Sequence, residues 1–193
     1  MHADMYTDIF TAKVTLQELD SYLARTQKNM APGVSGIRID HIAALPQDLR
    51  QAMADLLSVP YLMGLTYTAW GKEICNWCPK EENNPDINRR RPLMYYKVMR
   101  KAMIGVRIAK LMKVWKDHGL INANNYAFQA GMSTTEPIMH KKMVMEDAIY
   151  SQKNVAIVDI DFAKAYDSTE RFAKDISLRR MGIPEEGLHI LQQ

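Results

Sequence analysis

The chain has 193 residues, 47% of them hydrophobic, which suffices for one compact domain or two small lobes. A formal net charge of +3 points to an anionic partner, and two cysteines exclude a disulfide framework. No N-terminal apolar run and no membrane-length segment occurs, so a soluble intracellular protein is expected, with no membrane partner and with nucleus or cytoplasm left open.

In chain order, residues 11–29 predict a helix, because Thr15 and Glu18 form a capping box and Leu16, Leu19, Tyr22 and Leu23 recur at helical spacing. Met30 to Ile37 is a turn cluster built on Pro32-Gly33. Leu45 to Met63 predicts a second amphipathic helix, interrupted at Pro60. Trp70 to Lys80 reads as a strand, followed by a polar loop (81–88) and by Arg89-Arg90-Arg91-Pro92-Leu93, which opens another. Cys75 and Cys78 lack two further zinc ligands at suitable spacing.

From Arg89 to Lys116 no acidic residue occurs, while Arg100, Lys101, Arg107, Lys110, Lys113 and Lys116 do. Ile104, Ile108, Leu111 and Trp115 take the other side of the same helix. Like charges at helical spacing repel, and a nucleic-acid backbone would offset that. Arg100, Arg107, Lys110 and Lys113 are therefore candidate nucleic-acid ligands; a merely solvated face is the alternative. Ser133 and Glu136 form a capping box that opens a helix to about Gln152, with His140 one turn beyond Glu136 and suited to a helix-face ion pair with it.

Val155 to Val158 is a short, mostly β-branched run that reads as a buried strand, and it delivers Asp159 and Asp161 to its C-terminal end. Ser168 or Thr169 then caps a helix running toward Met181, ended by Gly182 and Pro184. Ionised carboxylates cost several kcal/mol to bury unless paired. At a strand end facing a cleft, a divalent cation or a hydrogen-bonded substrate is the usual partner.

Asp161-Phe-Ala-Lys-Ala-Tyr-Asp167 resembles the first palm motif of reverse transcriptases, in which an Asp is followed five residues later by an aromatic. The resemblance implies that Asp161 binds the catalytic Mg²⁺ and that Tyr166 lies under the sugar of the incoming nucleotide, excluding a 2′-hydroxyl. RNA-copying RNA polymerases resemble this motif but tend to carry Asp where Tyr166 stands. Haloacid-dehalogenase-like phosphatases resemble Asp159-Ile-Asp161, but they call for Thr or Val at the position of Ala163 and for more than a hundred residues downstream.

Three further elements resemble reverse transcriptases of the non-LTR-retrotransposon and group-II-intron type. Met30 to Ile37 is similar to their Pro-Gly-x-Asp-Gly-Ile element, with Ser35 where Asp is usual. Pro79-Lys80 and Arg91-Pro92 are similar to their fingers hairpin, which implies that Lys80 and Arg91 reach nucleotide phosphates. Asn125 to Thr134 resembles their block before the palm: Phe128, Gly131, Ser133 and Thr134 match, while Ala127, Gln129 and Met132 replace a Gly and two Arg.

The resemblance thus implies an α-rich α/β chain: the fingers and partial palm of a right-hand polymerase, truncated before the catalytic Asp-Asp strand and the thumb. Residues 1–64 would be the N-terminal helical part of the fingers, 65–118 the hairpin and basic helix, and 119–193 the start of the palm. Its partners would be an RNA template and DNA primer, deoxynucleoside triphosphates and the remainder of the polymerase chain. The family's Tyr/Phe-x-Asp-Asp motif does not follow Asp167, so the fragment by itself is expected to be inactive, and Val155 to Val158 to be poorly satisfied or paired with a local hairpin. Asp159 shares a strand face with Asp161 and could serve as a backup ligand. A truncated, non-catalytic remnant that only binds nucleic acid is the alternative function.

Overall fold

The computed structural model describes residues 3–82, 84–129, 131–162 and 165–192. A single turn, α1 (Thr7–Phe10), precedes α2 (Leu16–Arg25), and the capping box of α2 forms in full. Thr15 Oγ1 accepts from Glu18 N–H at 3.2 Å, and Glu18 Oε2 accepts from Thr15 N–H at 2.9 Å. Leu19, Tyr22 and Leu23, on the apolar stripe that follows, are buried. A short α3 (Ile39–Ala43) leads into α4 (Gln47–Met63), whose Ala54, Leu57, Ser58 and Tyr61 fall at i, i+3, i+4 and i+7 and are buried together.

Pro60 does not interrupt α4, contrary to the expected break; the helix runs on to Met63. The proline lacks the N–H that would bond Leu56 O, so one bond of the ladder is lost three residues before the helix ends. The Tyr67 hydroxyl makes a long 3.5 Å contact to that carbonyl, and Gly64 in the left-handed region closes the helix.

The expected hairpin forms. Strand β1 (Ile74–Pro79) pairs antiparallel with β2 (Arg90–Tyr95) in the register Ile74↔Tyr95 to Pro79↔Arg90. Helix α5 (Val98–Asp117) follows, then α6 (Thr135–Tyr150), α7 (Ala165–Ser168), α8 (Arg171–Arg180) and α9 (Glu185–Gln192). The chain is therefore α-rich with one two-stranded sheet among the described residues, compatible with the α/β class. No helix among them is long and apolar enough to cross a membrane.

Two compact units result. The first is Met1–Leu111 with Gly182–Gln193; the second is Met112–Met181. The first unit is built on one shared core. Leu19 and Leu23 of α2, Ala54, Leu57 and Tyr61 of α4, and Val98, Ala102, Met103 and Val106 of α5 form a single cluster. Each large side chain so buried stabilises the fold by about 1.5–3 kcal/mol. Tyr22 lies against Gly105, where an added Cβ would stand 2.2 Å from the ring, so α2 and α5 approach this closely only over glycine. The C-terminal helix α9 also belongs here, its Leu188 buried and its Gly187 flush against the Phe10 ring.

In the second unit, Ala148 is the one buried apolar residue among those described. Residues 151–162 contain no strand, which corrects the expectation of a buried strand at Val155 to Val158: Val158 is 80% exposed. β-branched residues favour an extended chain, but a strand needs a neighbour for its N–H and C=O groups, and the described residues supply none. The expected cap at Ser168 or Thr169 is also displaced. Thr169 Oγ1 bonds Ala165 O at 2.8 Å, closing α7, and Glu170 is the N-cap of α8.

Candidate nucleotide and nucleic-acid interface

The hairpin is closed at its loop end by Lys80 N–H donating to Arg89 O at 2.8 Å. Inside the loop, the Asp86 carboxylate accepts from Asn88 N–H at 2.9 Å, and Asn84 Oδ1 accepts from Asp86 N–H at 2.9 Å. These short-range bonds fix a polar loop that would otherwise lack order. Arg91 stands opposite Cys78 in the register, and Lys80 lies two residues beyond Cys78. Opposed residues share a sheet face, as do residues two apart, so Lys80 and Arg91 rise from the same face at the loop end. Diagonal neighbours in such a ladder are roughly 7–8 Å apart, within reach of one polyphosphate.

Both side chains are exposed, and neither forms an ion pair with a described residue. Arg89 differs: it meets Glu81 at 3.5 Å, an exposed pair of small worth. Lys97 donates to the Ala69 carbonyl. The Pro32-Gly33 turn anchors the hairpin's exit. An added Cβ at Gly33 would stand 2.6 Å from the Tyr96 carbonyl, so only glycine lets the turn pack on Tyr96–Lys97. The Pro-Gly dipeptide announced a turn, but nothing local in the sequence announced what it packs on.

Helix α5 does not present the free basic face that its composition suggested. Arg107 requires a correction, for it is 1% exposed and cannot meet a phosphate from there. Its Nη2 donates to Ala12 O at 3.1 Å, and its guanidinium carbon lies 3.4 Å from the Tyr61 ring centroid. Burial pulls its pKa down to about 10, so it keeps its charge at neutral pH. Burial likewise raises the Tyr61 phenol. Lys110 is half-buried and pairs with Glu18 at 2.7 Å. Lys113 pairs with Asp117 one turn on, at 2.5 Å. Arg100 stacks over the Tyr96 ring at 4.8 Å. The offset for α5's like charges thus comes largely from the protein's own acids and rings. Reading a stretch without acids could not reveal Glu18, which lies on another helix.

The second unit holds Asp161, Lys113 and the backbone of Tyr166; the side chain of Tyr166, and Ala163, lie outside the described residues. Asp161 is exposed on the extended segment. Asp159 is not free to back it up, because Lys141 Nζ contacts both its carboxylate oxygens at 2.7 and 2.8 Å. No group of three His, Cys, Asp or Glu side chains converges among the described residues. The donor set described is therefore one exposed carboxylate, with a second held by an ammonium. That fits a single water-rich Mg²⁺ rather than a metal pair. Before it, Phe128 sits at φ 58° with its ring 85% exposed, and Gly131 takes φ 81°.

The capping box opening α6 forms in altered shape. Glu136 accepts from Ser133 N–H at 3.0 Å and from its hydroxyl at 2.7 Å, while Ser133 Oγ accepts from Thr135 N–H at 3.1 Å. These bonds hold the Glu136 carboxyl below its ordinary value. His140 bonds the Tyr126 hydroxyl at 2.9 Å, in place of the expected ion pair with Glu136. Lys80, Arg91, Arg100, Arg107 and Lys110 thus belong to one unit, and Lys113, Asp161 and Tyr166 to the other. No protein-family model and no curated protein matches the chain.

Proposed function

We propose that the chain is the fingers and the first part of the palm of an RNA-directed DNA polymerase, with Lys80 and Arg91 meeting the triphosphate of an incoming deoxynucleotide. The observation that carries this reading is the β1–β2 hairpin, where the register brings an unpaired ammonium and an unpaired guanidinium to one face at the loop end. A compact point charge and a planar fork suit a triphosphate in complementary ways. Asp161 would hold a Mg²⁺, which when bound neutralises phosphate charge. Tyr166 would form the wall against a 2′-hydroxyl. The exposed, left-handed Phe128 suits stacking on an unpaired base of template or primer.

A labelled deoxynucleoside triphosphate, titrated in Mg²⁺ against the 193-residue chain, tests the hairpin. Lys80→Ala and Arg91→Ala should each weaken binding by roughly tenfold or more, since a charge-assisted contact contributes about 1.5–3 kcal/mol. Arg90→Ala, on the other face, should leave it unchanged. Equal losses in all three would reduce the hairpin to a diffuse basic patch.

A second reading, a non-catalytic protein that only binds nucleic acid, draws on the Lys141 ammonium that occupies Asp159. Either reading predicts duplex affinity that falls with salt by about 0.7–0.9 log units per phosphate contacted. In that titration Arg91→Ala and Lys116→Ala should flatten the slope, and Arg107→Ala should not.

A further inference from the structure

Residues 153–162 run without turn or bend beyond the end of α6, and none of 154–162 gives or accepts a backbone hydrogen bond with another described residue. Val155, Ile157, Val158 and Ile160 are β-branched, and neither proline nor glycine interrupts them. Their exposure already has a strand's two sides. Val155 and Ile157 are 47% and 40% exposed, while Val158, Ile160 and Phe162 are 80%, 77% and 74% exposed. Two bonds tie the segment to α6: Lys153 N–H donates to Ala148 O, and Lys141 holds Asp159. A segment so held loses little freedom on pairing, and its backbone offers a row of open N–H and C=O groups.

We propose that residues 153–161 pair antiparallel with the same residues of a second copy of the chain, centred on Ile157, so that Lys153 faces the partner's Asp161. Open backbone donors and acceptors are completed by another strand, and charge decides which strand and in what register. Lys153 and Asp161 are exposed and form no ion pair with a described residue, whereas Asp159 is taken by Lys141. Centring the pair on Ile157 joins the two free charges, twice over by symmetry, and leaves Asp159 with its own Lys141. Centring it on Ile160 would set Asp159 against the partner's Asp161, and parallel in-register pairing would set each Asp against itself; both are repulsive. Centring it on Ala156 would offer Lys153 an Asp159 that is already held. In the chosen register Val158 stands opposite the partner's Ala156 and diagonal to the partner's Val158, so the exposed side chains cover one another. With so few residues a side the interface belongs to the small, transient class. A dissociation constant on the order of 100 μM is expected, and dilute chain stays monomeric. The pairing rests on nothing in the polymerase reading, although it occupies Asp161.

Sedimentation velocity of the full 193-residue chain tests this, run without divalent ions so that Asp161 is free. Between about 5 μM and about 1 mM a monomer should pass into a dimer and into nothing larger. Asp161→Lys alone, or Lys153→Asp alone, should weaken association roughly tenfold, since two attractive cross-strand pairs become repulsive. The double variant Lys153→Asp, Asp161→Lys should restore it, which no general loss of fold would do. Opposed residues of an antiparallel pair have Cα atoms about 4.5–5.5 Å apart, within a disulfide's reach. With Cys75 and Cys78 replaced by Ser, Ile157→Cys should therefore cross-link to its own copy on mild oxidation. Ile160→Cys should not, because that position lies about 20 Å from its equivalent along the pair. A chain still monomeric at about 1 mM would overturn the proposal, as would an association that ignores the charge reversals or that the double variant does not restore. So would oligomers beyond the dimer, or cross-linking as fast at residue 160 as at 157, either of which would move the contact to the exposed face of α6 or to stacking without a fixed register.

Discussion

The two units differ in where their apolar residues go. In the first, α2, α4 and α5 turn their stripes onto one another, and the buried Ser58 hydroxyl bonds on both sides: Ser58 Oγ accepts from Val14 N–H and donates to Ala54 O, both at 2.8 Å. In the second, Ile138, Met143, Val144 and Ile149 of α6, and Val158, Ile160 and Phe162 beyond it, all stand exposed. Their sequences look alike, rich in Met, Ile and Val at regular spacing. What separates them is partnership. A stripe stabilises a helix only when something covers it, and propensity alone leaves a helix of this length marginal. The first unit should therefore carry nearly all of the measurable stability, and the second should open at low cost.

The largest test is a pair of substitutions. Leu57→Ala empties the centre of the first core and should cost about 2–5 kcal/mol in urea unfolding. Val158→Ser in the second unit should change the same midpoint by under about 0.5 kcal/mol, as surface changes do. Comparable losses would mean that Val158 is buried in solution and that the contrast is false.

Next in size is Ser58→Ala. It strips the acceptor from the Val14 amide in a dry interior, with an expected loss of about 1–3 kcal/mol. Ser133→Ala, at the start of α6, removes an exposed cap and should cost at most about 1 kcal/mol, seen only in the exchange of the α6 amides.

A third test uses acid. Burial would raise the Glu18 carboxyl, but the Lys110 ion pair and the bonds from Thr15 outweigh it and hold it below its ordinary 4.5. A carboxyl lowered by folding adds stability above its unfolded value and loses it as pH falls through the folded one. The first unit should weaken on acidification below about pH 4.5, and Glu18→Gln should flatten that part of the curve. An acid limb unchanged in Glu18→Gln would show that α2 and α5 do not rely on the pair.

The same contrast explains what the sequence could disclose. Capping at Thr15, the periodicity of α2 and α4, and the hairpin at Lys80 and Arg91 are settled by residues near one another in the chain, and they were legible. Arg107 was not, because its burial depends on Tyr61 and Ala12, which lie 46 and 95 residues away. Lys110 was misread for a like reason, since Glu18 lies on another helix. The Val155 to Val158 run signalled a strand correctly as a preference, but a preference becomes a strand only beside another strand. Asp161 therefore stays legible as a residue type in a pattern, while among the described residues no further His, Cys, Asp or Glu pair converges with it.

The smallest expected effect lies at the end of α6, and it sharpens the comparison from the weaker side. There Gln152 takes φ 51°, a left-handed conformation that most side chains resist. The local bonds explain why it is held: Gln152 N–H reaches Ile149 O at 3.2 Å and Lys153 N–H reaches Ala148 O at 2.9 Å, which satisfies the last carbonyls of the helix. Glycine adopts that conformation without the Cβ clash, so Gln152→Gly should stabilise this cap by about 0.5–1 kcal/mol despite its looser unfolded chain. The gain should slow amide exchange in the last turn of α6 and leave the α4 amides, around Ala54 and Leu57, unchanged. If α4 exchange slows equally, the two units unfold as one, and the exposed apolar face of α6 is covered in solution.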